Sequence, residues 1–196
     1  MREAVSDANA EDIIILSDND EIPNLNGVNF ENSKESIFIF KQKMFYYKLN
    51  LFYKELLWTG SKACKKNKLK SPQWLRNIKN KKYPFWRIDT LFSDKKYNNV
   101  IFINNGGWHF SNVKTPEEIE RKLSNFGHHD EYELSGLNLK KIKEMVSQKK
   151  VYYDHFADKS IVNKYHSSYQ LKKVDINILP QYLKDNLDKY NDWFDH

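Results

Sequence analysis

The first half of the chain alternates short apolar runs with polar segments, a pattern that predicts strands. Residues 12–17 are rich in β-branched isoleucine, and the run is too short for a helix, so it predicts a buried strand. Residues 35–52, ESIFIFKQKMFYYKLNLF, carry aromatic side chains at a density typical of a sheet. Residues 98–105 predict another short strand, and residues 2–10 predict the end of a helix.

The second half of the chain has helical spacing. Residues 115–118, TPEE, place Thr at the N-cap, Pro at the first helical position and Glu at N3, which is the pattern of a capping box. Residues 119–126 then repeat apolar side chains at i, i+4 and i+7. Further helices are predicted over 138–148 and from Pro180. Residues 61–98 predict loops with one short helix, so the whole pattern is mixed α and β.

Length and composition favour one globular domain spanning residues 1–196. Apolar residues make up 40% of the chain and charged residues 30%, which is typical of a folded protein. The single cysteine, Cys64, excludes an internal disulfide and fits a reducing compartment. The chain has no uncharged apolar window of about 18 residues and no apolar stretch near Met1. We therefore expect a cytoplasmic protein without a transmembrane segment.

The net charge of +6 is unevenly distributed. Residues 61–82 contain nine Lys or Arg residues and no acidic residue. Such a block suits phosphate, nucleic acid or an anionic membrane surface. The competing interpretation is a solvated loop in a chain that is generally rich in lysine and asparagine.

The segment IIILSDNDEIP, residues 13–23, runs from an apolar strand directly into carboxylates. In an extended backbone Asp18 and Asp20 point to the same side, and their hard oxygen atoms suit Mg²⁺ or Mn²⁺ with substrate phosphates completing the shell. A calcium loop is excluded, because its sixth position would be Pro23 rather than Gly. An ordinary turn is the alternative. The position after a strand favours a ligand site.

A second cluster, GGWHFS, occupies residues 106–111. Its two glycines permit close approach of a ligand or of another backbone. In a strand, Trp108 would face one side while His109 and Ser111 face the other. His109 could ligate a metal or bind phosphate, or it could be a histidine packed within a sheet.

A third cluster, FGHHDEYE, occupies residues 126–133. His128, Asp130 and Glu131 form a dense group of acids and bases. A structural turn after the preceding helix is the alternative. The six histidines of the chain have no cysteine partners at suitable spacing, which disfavours a structural zinc site.

Three segments together resemble glycosyltransferase family 17, the family of the bisecting β-1,4-mannosyl-glycoprotein N-acetylglucosaminyltransferase and its bacterial relatives. They are SDNDEIP (17–23), WTGS (58–61) and GGWHFSNVKTPEEIERKLSNFGHHDE (106–131), in that order. The segment LPQYLKDNLDKY (179–190) is similar to the family's closing helix. The resemblance extends from about residue 11 to the C-terminus, and its most specific part is the Trp-His-Phe-Ser block with the helix that follows.

The resemblance implies a GT-A-like, Rossmann-like α/β fold, with a mixed sheet flanked by helices. It implies a nucleotide-sugar donor, UDP-N-acetylglucosamine, and transfer with inversion to a glycan or glycolipid acceptor. Asp18 and Asp20 fall on the family's Asp-x-Asp, so the resemblance assigns them Mn²⁺ or Mg²⁺ and diphosphate binding. Glu21 would orient the donor or the turn. We expect no specific nucleic-acid partner, and a location in the cytoplasm or at the inner membrane face.

The resemblance also implies substrate-binding residues. Trp108, His109 and Ser111 match the second block of the family, and His128 matches a histidine of the third. By the stacking chemistry of aromatic rings, Trp58 or Trp108 could contact a sugar face.

The candidate catalytic bases come from chemistry rather than from the resemblance. Inversion needs a base opposite the leaving group, and Asp130 and Glu131 are the first candidates, with Glu21 behind them.

The chain departs from the family at its start, since only about eleven residues precede the first predicted strand. We expect that the N-terminal strands of the nucleotide-binding sheet are missing, which leaves uridine binding open. Two alternatives follow. The chain could be a non-catalytic sugar- or nucleic-acid-binding module, or a pairing partner of another transferase chain. An unpaired strand edge would predict a homo-oligomer.

Overall fold

The computed structural model describes residues 5–31, 33, 36–125, 129–157, 161, 163–165 and 169–196. Its strands are β1 (Ile13–Leu16), β2 (Glu21–Pro23), β3 (Ile37–Phe40), β4 (Gln42–Tyr46), β5 (Leu51–Trp58), β6 (Lys62–Lys65), β7 (Val100–Ile103), β8 (Gly107–Ser111) and β9 (Lys172–Lys173). Its α-helices are α1 (Pro72–Asn77), α2 (Pro116–Ser124), α3 (His129–Ser135), α4 (Leu139–Ser147) and α5 (Gln181–Lys184). Short 3₁₀ helices cover Lys66–Lys68, Ile88–Thr90, Ile176–Ile178 and Asp188–Trp193.

One sheet has the strand order β1-β6-β3-β7 and is mixed. β1 and β3 both pair antiparallel with β6, whereas β3 pairs parallel with β7. Successive side chains alternate between its faces, so Ile37 and Ile39 pack on one face with Cys64, while Phe38 packs on the other face. Helix α1 packs against β6 and β1 on the first of these faces, where Leu75 joins the core.

The second sheet has the order β2-β8-β4-β5-β9. β2 pairs antiparallel with β8, with Ile22 opposite Trp108. Gly107 has a φ of +127°, and a Cβ there would lie 2.0 Å from the carbonyl oxygen of Ile22. Only glycine therefore allows the start of β8 to approach β2 this closely.

The chain divides into two compact units. The first comprises Met1–Lys43 and Leu57–His109, and the second comprises Met44–Leu56 and Phe110–His196. The first unit contains the whole β1-β6-β3-β7 sheet and the β2–β8 pairing.

The second unit has helices α2 to α5 and a core of buried tyrosines. In the predicted capping box, Thr115 Oγ1 accepts from the Glu118 N–H and Glu118 Oε2 accepts from the Thr115 N–H. Tyr152 and Tyr165 stack with an interplanar angle of 5°. Burial raises the pKa of Tyr152 above its usual range.

The structure confirms a mixed α/β fold with sheets flanked by helices, and it corrects several details. β1 is half-buried rather than buried. β6 lies in a segment predicted to be loop. Lysines on either side of the buried residues Ala63 and Cys64 make the sequence there look polar. The closing helix α5 spans only four residues. There the Asn186 side chain donates to the Tyr182 carbonyl, a local bond that competes with helix continuation.

Two further segments have a secondary structure that the sequence did not predict. Residues 5–10, predicted as the end of a helix, form a turn-rich segment. Residues 129–135 form α3, where a turn was the structural alternative. No helix in the described ranges is long and apolar enough to cross a membrane.

Candidate functional site

The acidic segment after β1 is a closed turn. The Glu21 N–H donates to the Asp18 carbonyl at 3.1 Å, the bond that defines a four-residue turn. The Asp18 N–H in turn donates to Glu21 Oε2 at 3.1 Å. The prediction of an extended backbone through these carboxylates is therefore wrong. The directions of the Asp18 and Asp20 side chains are set by the turn and not by the alternation of a strand.

Glu21 is the buried centre of this region, with only 6% of its surface exposed. Its Oε1 accepts from Trp58 Nε1 at 2.6 Å, and its Oε2 accepts from Ser61 Oγ at 3.0 Å. Ser17 Oγ lies 2.6 Å from Ser61 Oγ and 3.5 Å from Glu21 Oε2. A carboxylate can be buried only where donors replace water, and these side chains supply them. We call Glu21 with Ser17, Asp18, Trp58 and Ser61 the Glu21 cluster.

The third residue of the WTGS segment, Gly60, lies too close to Glu21 and Trp58 for any side chain. A Cβ at this residue would lie 1.6 Å from Glu21 Oε1 and 2.4 Å from Trp58 Nε1. No side chain fits beside this hydrogen bond. The glycine thus lets the segment fold closely around the carboxylate, with a donor on each side of it.

His109 joins the same region from β8. It lies opposite Glu21 in the β2–β8 register. Its ring stacks on Trp58, with centroids 4.8 Å apart and planes 23° apart. Its Nδ1 lies 3.8 Å from Asp20 Oδ1. The segments SDNDEIP, WTGS and GGWHFS therefore all contribute residues to this site, and His109 covers one face of Trp58.

The predicted alternation along β8 is present. His109 and Ser111 are buried, whereas Trp108 is half-buried. The polar face of the strand is thus its inner face. Ser111 belongs to the second unit, where its Oγ accepts from Asn112 Nδ2 at 3.2 Å.

A cavity of about 210 Å³ opens beside the acidic turn, within the first unit. Its lining includes Asp18, Glu21, Trp58, Lys62, Arg76 and Asn80. Asp18 and Arg76 form an ion pair in which each side chain is nearly half exposed. The cavity thus presents both an accessible carboxylate and a guanidinium, the group that binds phosphate oxygens most specifically.

Lys62 fixes the wall of this cavity that carries Arg76. Its Nζ donates to the carbonyls of Arg76 at 2.8 Å and Ile78 at 2.5 Å, at the end of α1. Burial lowers the pKa of Lys62 from its ordinary 10.5 to about 8, although the nearby Glu21 carboxylate acts in the opposite direction. Neither residue was singled out from the sequence, where both merge into the basic block.

The residues of the turn fit a divalent cation in part. The carboxylates of Asp18 and Asp20 are 46% and 36% exposed and offer hard oxygen ligands. Within the described ranges, no group of three or more His, Cys, Asp or Glu side chains is arranged to hold a metal. Mg²⁺ and similar ions are often held by only one or two carboxylates together with substrate phosphates. Asp18 and Asp20 supply exposed carboxylates of the kind used in that mode of binding.

The third predicted cluster lies in the second unit. Asp130 and Glu131 occupy the first turn of α3, where negative charge complements the helix dipole. Burial raises the pKa of Tyr165, and the charge of Glu131 raises it further. His128 lies outside the described residues.

Comparison with protein-family models, with curated proteins and with solved structures gives no match.

Proposed function

We propose that the chain is a metal-assisted glycosyltransferase with a GT-A-like fold. It would transfer a sugar, N-acetylglucosamine from UDP-N-acetylglucosamine, to a glycan acceptor with inversion. One observation carries the proposal. The segments SDNDEIP, WTGS and GGWHFS, which are far apart in the sequence and resemble glycosyltransferase family 17, come together around Glu21 beside a cavity.

Asp18 and Asp20 would hold Mn²⁺ or Mg²⁺ at the mouth of this cavity. The ion would supply positive charge to the leaving nucleoside diphosphate as the glycosidic bond breaks. Arg76 would form a charge-assisted bond to a diphosphate oxygen, exchanging its present partner Asp18 for the ligand. That exchange would leave the Asp18 carboxylate available at the moment when donor and cation bind together.

Glu21 acts in this proposal as a positioning residue. It is buried, and both of its oxygens already accept hydrogen bonds within the Glu21 cluster. A base must take a proton from the acceptor hydroxyl, and a carboxylate occupied in this way is poorly suited to that step. Its role is to hold the turn so that Asp18 and Asp20 keep their geometry. Asp130 and Glu131 stay the candidate bases.

Lys62 and His109 support the same arrangement. Lys62 holds the end of α1 and thereby the backbone of Arg76. His109 packs on Trp58 and lies near Asp20, so it would orient both of them. Trp108, half-buried on the other face of β8, is the candidate for contact with a sugar ring.

The test is donor turnover by the double variant Asp18→Asn/Asp20→Asn. With Mn²⁺, UDP-N-acetylglucosamine hydrolysis or transfer should fall by about a hundredfold or more, since loss of a charge-stabilising group at a transition state costs that much. Asp7→Asn, an exposed carboxylate elsewhere in the first unit, is the matched control and should keep wild-type turnover. Unchanged turnover in the double variant would remove the metal assignment. Metal-dependent donor binding without any wild-type turnover would indicate a non-catalytic binding module.

A further inference from the structure

Residues 79–96 form a loop of the first unit that exposes an unusual amount of apolar surface; we call it the apolar loop. Phe85 is 83% exposed and Phe92 is 87% exposed. Trp86, Ile88 and Leu91, which lie between them, each keep more than two thirds of their surface in solvent. So many large apolar side chains exposed within one short segment are unusual on folded proteins, and exposed apolar surface of this kind often marks a surface of interaction.

The apolar loop is internally hydrogen-bonded. Its ends are joined by the Lys79 N–H, which donates to the Lys95 carbonyl at 2.7 Å. At its tip, the Leu91 N–H donates to the Ile88 carbonyl at 3.0 Å, closing the 3₁₀ turn Ile88–Thr90. Phe85 and Trp86 contact each other edge to face, with centroids 5.2 Å apart. The backbone thus holds these side chains on the outside of an ordered loop.

The polar side chains at the tip bond to one another. Asp89 accepts from Arg87 Nε at 2.6 Å, from Arg87 Nη2 at 2.7 Å and from Lys96 Nζ at 2.8 Å. These two cations hold the pKa of Asp89 well below its usual range. The acidic residue of the tip is therefore neutralised locally, and the remaining tip surface is largely apolar.

The base of the apolar loop is cationic. Residues 79–96 contain six basic and two acidic residues, a net charge of +4. Lys79, Lys81, Lys82 and Lys95 are exposed next to the joined ends. A segment that exposes Trp, Phe, Ile and Leu together with several lysines has the composition of segments that sit in the interface of a membrane.

We propose that the apolar loop docks onto an anionic lipid surface. Phe85, Trp86 and Phe92 would enter the boundary between headgroups and acyl chains, and the lysines would contact anionic headgroups. Charge complementarity favours lipid over a protein partner, because lysine is depleted at protein–protein interfaces whereas each Lys near an anionic membrane adds attraction. The proposal is independent of the glycosyltransferase assignment, since no residue of the Glu21 cluster takes part.

The test is cosedimentation of the full chain with lipid vesicles. Wild-type protein should bind phosphatidylcholine–phosphatidylglycerol vesicles and should bind vesicles of phosphatidylcholine alone much more weakly. Added salt should weaken the first interaction. Phe85→Ser/Phe92→Ser should reduce binding to anionic vesicles by about tenfold or more, since each substitution removes a large apolar side chain from the interface. Lys81→Gln/Lys95→Gln should reduce it by about tenfold through lost headgroup attraction.

Leu134→Ser is the matched control, because Leu134 is 76% exposed on α3 in the second unit. It should bind vesicles as the wild type does. Trp86 provides a second readout: its fluorescence should shift to the blue on binding, and Trp86→Phe should bind but lose that shift. Three results would overturn the proposal. These are no wild-type binding to anionic vesicles, equal losses for Leu134→Ser, or self-association that depends on Phe85 and Phe92 in a protein that does not bind vesicles.

Discussion

The Glu21 cluster and the apolar loop lie in the same unit, and both depart from the usual pattern in which charged side chains are exposed and large apolar side chains are buried. The cluster buries a carboxylate, and hydrogen-bond donors surround it. The loop exposes large apolar side chains, while Asp89, one of its two acidic residues, pairs with neighbouring cations. A buried polar group is stable only while each partner is in place, so the cluster should be intolerant of change. The exposed side chains contribute little to folding. Substitutions in the loop should therefore leave the free energy of unfolding nearly unchanged but weaken the proposed binding to lipid.

The largest effect on this contrast is expected from Gly60→Ala. Its Cβ would lie 1.6 Å from Glu21 Oε1, so the carboxylate must leave its hydrogen bond to Trp58. We expect a loss of about 3 kcal/mol in the free energy of unfolding, measured by chemical denaturation. Gly27→Ala is the control: it has open space but a φ of +74°, and should lose only about 1 kcal/mol. Equal losses in the two variants would contradict the tight fit at Gly60.

Glu21→Gln should have the next largest effect. The amide replaces one carboxylate oxygen by an NH₂ group, which cannot accept from Trp58, Ser61 or the Asp18 N–H. Unfolding free energy should fall by about 2 kcal/mol. Glu11→Gln, which alters an exposed pair with Lys65, should stay within about 0.5 kcal/mol of the wild type in the same denaturation experiment. A comparable result for the two variants would mean that the buried carboxylate is not the centre of the cluster.

Lys62, beside the Glu21 cluster, should make the free energy of unfolding depend on pH. Burial lowers its pKa to about 8, so between about pH 8 and 10 it is neutral in the folded chain and charged in the unfolded chain. The unfolded state then binds more protons, and stability rises with pH. Relative to Lys62→Met, the wild type should gain about 2 kcal/mol over that range, measured by denaturation at each pH. A constant or falling difference would contradict the lowered pKa.

The smallest effect on stability is expected in the apolar loop. Phe85 and Phe92 are almost fully exposed, so Phe85→Ser/Phe92→Ser should change unfolding free energy by no more than about 0.5 kcal/mol. Thermal and chemical denaturation would both measure it. A loss above about 2 kcal/mol would show that these side chains pack in the folded state. It would contradict the statement that the exposed side chains of the loop contribute little to folding.

The sequence predicted the parts of the fold that depend on local patterns. The capping box at Thr115, the strand before the acidic turn and the short helix in 61–98 all follow from residue types at fixed spacing. β6 was missed because its flanking lysines hide a buried pair, and Lys62 itself is buried through bonds to the end of α1. No local pattern indicates that a lysine will be used in this way.

The candidate site was predicted in its motifs but not in its geometry. Asp18, Asp20 and Trp58 were identified from sequence, whereas the function of Gly60 becomes clear only when Glu21 folds back onto the WTGS segment. The stacking of His109 on Trp58 likewise depends on pairing between strands that are distant in the chain. Long-range contacts of this kind are set by tertiary packing, which residue spacing does not encode.

We propose that the turn held by the Glu21 cluster binds a cation together with a nucleoside diphosphate. Isothermal titration of the full chain with UDP-N-acetylglucosamine tests it most directly, with Mn²⁺ and with EDTA. We predict Mn²⁺-dependent binding that weakens by about a hundredfold, or roughly 2.7 kcal/mol, in Asp18→Asn/Asp20→Asn. Asp7→Asn should bind as the wild type does. Binding of equal strength in EDTA and in the double variant would contradict the claim.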